Sequence, residues 1–320
     1  VGYNHYKYDS RIVSTQEDKK YPNKLHVVLY STPFYTESGG QVADIGEIQM
    51  ADGSKSYSVE NVWKNQNGEI FHVINNFDDK ELGEEVHAIV NIPRRKNIMR
   101  NHTATHLLHE ALRRVLGSHV QQHGSLVAPD RLRFDFNHFE RVTEEQVREI
   151  ENIVNKKISE GISVEANEMP IEEAKKIPGI KMFFGEKYGD VVRVIRMADD
   201  FSAELCGGTH VKNTADIGLF KITSEASIAS GIRRIEAVTG EGVKQYINDQ
   251  LQIIRKIDQE LLNLFDEKDF LEKELSQHKK IDQTPKPKLP ALPSAENPTR
   301  ETIDNVETLL RQREQIAEQT

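Results

Sequence analysis

The chain predicts an α+β protein built in three successive parts: a small N-terminal β-barrel, an α+β core, and a C-terminal helical hairpin or coiled coil. Three observations set that order. Short apolar runs separated by turn signals fill residues 1–92. From Pro93 the apolar period becomes helical and then mixes with strands up to residue 240. Residues 241–320 are densely charged, with apolar side chains at helical spacing.

In the first part the strand candidates are 25–30, 57–63, 70–74 and 86–90, with turns at Asp52-Gly53, Asn67-Gly68 and Leu82-Gly83. Short strands at this spacing favour a small barrel or sandwich. Between them lies Thr32-Pro33-Phe34-Tyr35-Thr36-Glu37-Ser38-Gly39-Gly40-Gln41, where Gly39 and Gly40 permit close approach of backbone to a ligand.

In the second part Ile98, Leu108, Ala111, Leu112, Val115 and Leu116 stripe one helix, with Pro93 near its start and Gly117 at its end. A Thr-Glu-Glu-Gln cap at Thr143 opens a second helix reaching Gly161. A short third helix spans 171–176, and strands fill 131–136, 191–197, 218–224 and 232–238. In the third part Ile247, Leu251, Ile254, Ile257, Leu261 and Leu264 space a long helix over 243–278. The five prolines of 284–298 make an irregular turn, and 300–318 returns to helix. The two helices are expected to pair as an antiparallel hairpin and to offer a dimer contact.

With a net charge of −9, no overall cationic surface can hold nucleic acid. An RNA contact has to come from local clusters, and Arg94, Arg95, Lys96, Arg100, Arg233 and Arg234 form the two candidates. One Cys in 320 residues rules out an internal disulfide framework and fits the reducing cytoplasm. No apolar run approaches the roughly 20 residues of a membrane span, and no signal peptide opens the chain. The first residue is Val1 rather than Met, which is expected of a piece of a longer protein.

Two short stretches carry the chemistry. His102 and His106 sit four apart, so on a helix they project from one face. Cys206 and His210 sit four apart around Gly207-Gly208, which let the backbone turn tightly. Three imidazoles and the single thiol make one tetrahedral zinc site, one ion per chain. A zinc protease is excluded, because the general-base Glu required after the first His is Thr103. Four protein ligands form a closed structural site if all bind at once, whereas catalysis needs a free position.

The stretches Asn101-His102-Thr103-Ala104-Thr105-His106-Leu107-Leu108-His109, His123-Gly124-Ser125-Leu126-Val127, Arg133-Phe134-Asp135-Phe136, Phe184-Gly185-Glu186-Lys187-Tyr188-Gly189-Asp190, Glu204-Leu205-Cys206-Gly207-Gly208-Thr209-His210 and Gly231-Ile232-Arg233-Arg234-Ile235-Glu236-Ala237-Val238-Thr239-Gly240 resemble the editing domain of the alanyl-tRNA synthetase family. The stretch 32–41 resembles that family's glycine-rich motif. The resemblance covers residues 1–245. Threonyl-tRNA synthetase shares the paired metal motifs but not the Phe-Tyr…Gly-Gly-Gln stretch.

The resemblance implies hydrolysis of serine or glycine wrongly esterified to tRNA(Ala), at zinc held by His102, His106, Cys206 and His210. It assigns Gln122 to the pocket and likens Thr32 to a threonine that senses the serine hydroxyl. It makes the acceptor end of tRNA(Ala) the partner. ATP and Mg2+ serve only an aminoacylation domain absent here, and the family's glycine-rich C-terminal module is not visible after the helices. A pocket that hydrogen-bonds a hydroxyl rejects an analogue lacking it by roughly 10⁴, and Thr32, Gln41 and Gln122 are the polar candidates. Two other readings stand beside the deacylase: a non-catalytic tRNA-binding module with structural zinc, and a free-standing trans-editing protein of the same family.

Overall fold

Alternating side chains close the N-terminal part into a barrel. The computed structural model describes residues 2–18, 23–75, 84–182, 189–198, 201–276 and 289–319. Six strands, β1 (Lys7–Glu17), β2 (Lys24–Leu29), β3 (Gly46–Met50), β4 (Ser56–Lys64), β5 (Ile70–Asn75) and β6 (Glu85–Val90), pair antiparallel in the order β1-β2-β5-β4-β3-β6, and β6 pairs back with β1. Val27, Ile48, Val59, Val62, Ile74 and Ala88 fill the interior. Gly53 and Gly68, both at positive φ, form the turns before β4 and β5. The Leu82-Gly83 turn lies outside the described residues. β1 escapes a reading of apolar pattern because Ile12 is its one fully buried residue; its ladders to β2 and β6 hold it instead.

The α+β core follows. It comprises α1 (Ile92–Leu116), β7 (Gln122–Val127), β8 (Leu132–Asn137), α2 (Glu144–Ser159), β9 (Val164–Pro170), α3 (Ile171–Ala174), β10 (Val191–Met197), β11 (Ser202–Leu205), β12 (Phe220–Ala229) and β13 (Ile232–Thr239). One sheet runs β12-β13-β8-β7 and the other β11-β10-β9. The expected caps hold. Pro93 lies in the first turn of α1 and Gly117 caps its end, while Thr143 and Gln146 form a reciprocal capping box on α2. Strand β9 gave no apolar signal because none of its residues is fully buried; its ladder to β10 alone defines it.

Residues 101–109 of α1 are buried on every side. Leu107, Leu108 and Leu112 pack with Phe134 and Phe136 of β8, Ile150 and Val154 of α2, and Phe220 of β12. The polar side chains of this helix are therefore inside the molecule, and each requires a partner.

The chain divides into two compact units, Val1–Gly240 and Glu241–Thr320. The second holds α4 (Glu241–Ser276) and α5 (Arg300–Gln319). Val243, Ile247, Leu251, Ile254 and Leu261 of α4, Ala295 before α5, and Ile303 and Val306 of α5 are its buried apolar residues among the described ones. The Tyr246 hydroxyl donates to Glu307 at 3.1 Å, and Arg313 Nε donates to Asp258 at 2.5 Å. These contacts advance in the same direction along both helices, so α4 and α5 run parallel and not as the antiparallel hairpin expected. The 36-residue α4 is about 54 Å long. Of the Pro-rich stretch, residues 289–298 are irregular and 284–288 lie outside the described residues.

Candidate metal centre

His102 and His106 rise from adjacent turns of α1 with their rings stacked at 5.4 Å. Cys206 sits one residue past β11, and its N–H still donates to Arg193 O at 3.0 Å. The Arg193 guanidinium clamps the loop beyond by donating to Cys206 O at 3.1 Å and Gly208 O at 2.7 Å. A Cβ on Gly208 would lie 1.9 Å from Cε1 of His102, so only glycine lets the loop rest on that ring. His210 follows, its ring centroid 4.4 Å from that of His102 and 5.0 Å from that of His106. One ligand atom from each of His102, His106, Cys206 and His210 falls within 4.8 Å of the other three. Sγ of Cys206 is 3.3 Å from Nε2 of both His102 and His210.

The far nitrogens tell what the near ones can do. Nδ1 of His106 is 2.6 Å from Oε2 of Glu204, a carboxylate that can only accept, so Nδ1 carries the proton. Nδ1 of His210 is 3.2 Å from the Thr103 hydroxyl, whose single proton already goes to Met99 O at 2.9 Å. That hydroxyl therefore accepts, and Nδ1 of His210 is protonated too. Nδ1 of His102 faces Oε1 of Gln41 at 2.7 Å. Nε2 of His106 is buried and has no hydrogen-bond partner among the described residues. Imidazole nitrogens converging on a half-buried thiol could hold a metal ion, with an outer layer of partners holding each ring.

Electrostatics point the same way. Burial pushes the Cys206 thiol up, but His102, His210 and His106 outweigh it and hold the thiol well below its ordinary value. Burial likewise raises Glu204, and His106, Lys181 and His109 bring it well below the usual carboxylate range. His210 is pushed down to about 3 by burial and by His102. Burial alone would lower His106, yet Glu204 and Cys206 raise it to about 10. With no ion bound, the acidic Glu204 and Cys206 thus favour a positive charge at His106, and a metal ion bound there would supply that charge in place of the proton on Nε2.

The other expected site residues are scattered. Gln41 is fully buried and touches the metal set, as the hydrogen bond to His102 shows. Gly39 and Gly40 both take positive φ in the turn that delivers it. The Thr32 hydroxyl donates to Nε2 of His72 at 2.7 Å, inside the barrel, and accepts the Phe34 N–H at 3.2 Å. Gln122 lines a cavity of about 260 Å³ with His109, Arg113 and Lys181.

Of the basic candidates for RNA contact, the buried Arg95 and Arg233 need correcting. Arg95 is 1% exposed and forms a buried ion pair with Asp44, with further bonds to Gly2 O at 2.8 Å and Pro33 O at 2.9 Å. It is an anchor between α1 and the barrel, out of reach of a phosphate. Arg233 is buried against Glu225, and Arg234 forms a bidentate pair with Asp135. Arg94 donates to Ala43 O and Arg100 to Asp216 O, while Lys96 is exposed.

Glu204 and Lys181 carry structure around the metal set that sequence reasoning did not weigh. Lys181 Nζ and Ser202 Oγ hold Oε1 of Glu204 at 2.9 and 3.1 Å, and Nδ1 of His109 lies 3.3 Å from it. A signal existed: Glu204 precedes Cys206 by two, the strand spacing that puts side chains on one face. Of the quoted motif 184–190, residues 184–188 lie outside the described residues.

Comparison with known proteins matches residues 192–236 to the family described as threonyl and alanyl tRNA synthetase second additional domain, and residues 1–94 to class II (A) tRNA synthetases. The alanine–tRNA ligase of Bacillus pumilus is 53% identical over 240 residues, 74% of this chain and 27% of the relative. That of Cytophaga hutchinsonii is 44% identical over 315 residues, 97% of this chain and 35% of the relative. That of Bacillus anthracis is 48% identical over 264 residues, 80% of this chain and 29% of the relative. The chain thus spans about a third of the length of the curated relatives it matches. No helix among the described residues is long and apolar enough to cross a membrane.

Proposed function

Because the chain belongs to the alanine–tRNA ligase family, we propose that its first unit is an editing deacylase, clearing serine or glycine wrongly esterified to tRNA(Ala). The observation that carries this is the set of three buried imidazoles and one half-buried thiol within 4.8 Å, backed by Gln41, Glu204 and Thr103. The metal in this reading is zinc, one per chain, because borderline-soft N and S donors in a four-ligand set suit it.

Zinc bound here supplies Lewis acidity toward an ester carbonyl and toward water. Everything else falls to the chain. Glu204 and Thr103 keep the protons of His106 and His210 on Nδ1, so that Nε2 stays a donor to the ion. Burial of the ligands excludes bulk water and strengthens each interaction. Thr32 and Gln122 are the candidates for reading the amino acid's hydroxyl. In this reading the acceptor end of tRNA(Ala) is the partner, Lys96 is the exposed cation for its phosphates, and the protein works in the cytoplasm. A dimer contact through the C-terminal unit, which leaves Phe270, Leu271 and Leu275 exposed, belongs to the same proposal.

One observation favours a second reading. All four ligand atoms sit together, the arrangement of a closed structural site, which would make this a tRNA-binding module only. Single-turnover hydrolysis of seryl-tRNA(Ala) decides between them. A rate well above the uncatalysed ester, with alanyl-tRNA(Ala) spared, supports the deacylase; a rate equal to the uncatalysed one leaves the binding module.

A further inference from the structure

Gln41 was expected to read a substrate hydroxyl, and its surroundings assign it different work. Its Oε1 accepts the Thr209 backbone N–H at 2.8 Å. A backbone N–H can only donate, so the oxygen of the carboxamide, not its nitrogen, must occupy that position. Nε2 is then directed at the Thr209 hydroxyl, 3.0 Å away. The same Oε1 lies 2.7 Å from Nδ1 of His102. It can only accept there as well, so the proton of His102 is on Nδ1 and its Nε2 is a bare donor beside Cys206.

The residue that does this comes from the barrel part of the chain. In the turn 38–41, Ser38 and Gln41 exchange backbone hydrogen bonds of 3.2 and 3.0 Å. The turn is wedged against β7, where Val127 N–H donates to Gly40 O at 2.7 Å and Val42 N–H donates to Val127 O at 3.0 Å. Gly40 has φ +81°, and a Cβ there would sit 2.5 Å from Ser125 O.

We propose that Gln41 is a positioning residue that sets the tautomer of His102, and that metal binding is thereby coupled to seating of the 38–41 turn on β7. The coupling is reciprocal: a turn held in place raises metal affinity, and bound metal holds the turn. The proposal rests on the metal set and not on deacylation, so failure of seryl-tRNA(Ala) hydrolysis would leave it standing.

The test uses the full chain and zinc alone, with affinity read by competition against a chromophoric chelator. Gln41→Leu is expected to bind zinc about 10–100-fold more weakly. Gln41→Glu is expected to bind as tightly as the parent, because a carboxylate oxygen still accepts from both His102 and Thr209. Stripping zinc from the parent is expected to speed hydrogen exchange at the amides of Val42 and Val127. Parental affinity in Gln41→Leu, or exchange at both amides unchanged on stripping, overturns the proposal. If Gln41→Leu does not fold, long-range 1H–15N correlation on the zinc-loaded parent decides, since a proton on Nε2 of His102 would be fatal to it.

Discussion

Oε2 of Glu204 lies 2.6 Å from Nδ1 of His106, and both side chains are almost wholly excluded from solvent. The pair joins the two motifs through a proton and leaves the opposite face of the imidazole to a metal. Replacing Glu204 by Ala is expected to weaken zinc binding about 10–100-fold, while Glu204→Gln, whose amide oxygen still accepts, retains most of it. Chelator competition on the three proteins checks the order.

Zinc content follows from the ligand count. Protein purified without chelators should carry about one zinc per chain. Cys206→Ala should lower that content and abolish serine removal, because the thiol supplies the only sulfur donor. Elemental analysis beside the deacylation assay measures both, and full activity without the thiol would make it a bystander.

The two glycines of Cys206-Gly207-Gly208 should behave oppositely. A Cβ on Gly207 meets nothing within 4 Å among the described residues, so Gly207→Ala is expected to bind metal as the parent does. A Cβ on Gly208 falls on His102, so Gly208→Ala should lose metal while far-UV circular dichroism keeps its helix and strand signal. Equal zinc occupancy in the two variants would contradict the steric argument.

His72 should leave a mark on stability against pH. Burial pushes it down to about 4, offset in part by its hydrogen bond to Val27 O. The unfolded chain has the ordinary imidazole value near 6.5, so between pH 6.5 and 4 it binds a proton that the folded barrel does not. The stabilising contribution is therefore complete above pH 6.5 and declines as pH falls toward 4, by about 3 kcal/mol in all. Denaturant unfolding of zinc-loaded parent and His72→Asn across that range should show a shallower slope in the variant.

Arg95 and Lys96 are neighbours with contrasting roles. Arg95→Ala leaves Asp44 buried and unpaired, and a loss of about 3–5 kcal/mol is expected. Lys96→Ala should leave stability unchanged and weaken tRNA binding with a smaller salt dependence. Thermal unfolding and binding titrations at two salt concentrations separate the two effects.

Much of this was legible in the chain. His102 and His106 at helical spacing, and Cys206 and His210 around two glycines, pointed to the four residues that the fold brings within 4.8 Å and that could hold a metal, because metal ligation demands specific side-chain chemistry at short range. The strands with apolar alternation, such as β10, and the capped ends of α1 and α2 were equally readable, since local propensity and burial agree there. Strands β1 and β9 were not, because ladder hydrogen bonds to neighbours define them and their own side chains bury little. Arg95 read as one more surface cation, and only the fold shows Asp44 waiting beneath it.

Two kinds of determination therefore meet at the metal set. Sequence by itself determined which side chains can bind an ion, because donor chemistry and the pitch of a helix or tight loop are local properties. Tertiary structure alone decided which nitrogen of each imidazole is free to bind. That choice is made by Gln41, Glu204 and Thr103, of which Gln41 is 61 residues from His102, Glu204 is 98 from His106 and Thr103 is 107 from His210. A proton's place on a ring depends on the acceptor that packs against it, and packing across such distances exists only once the chain has folded.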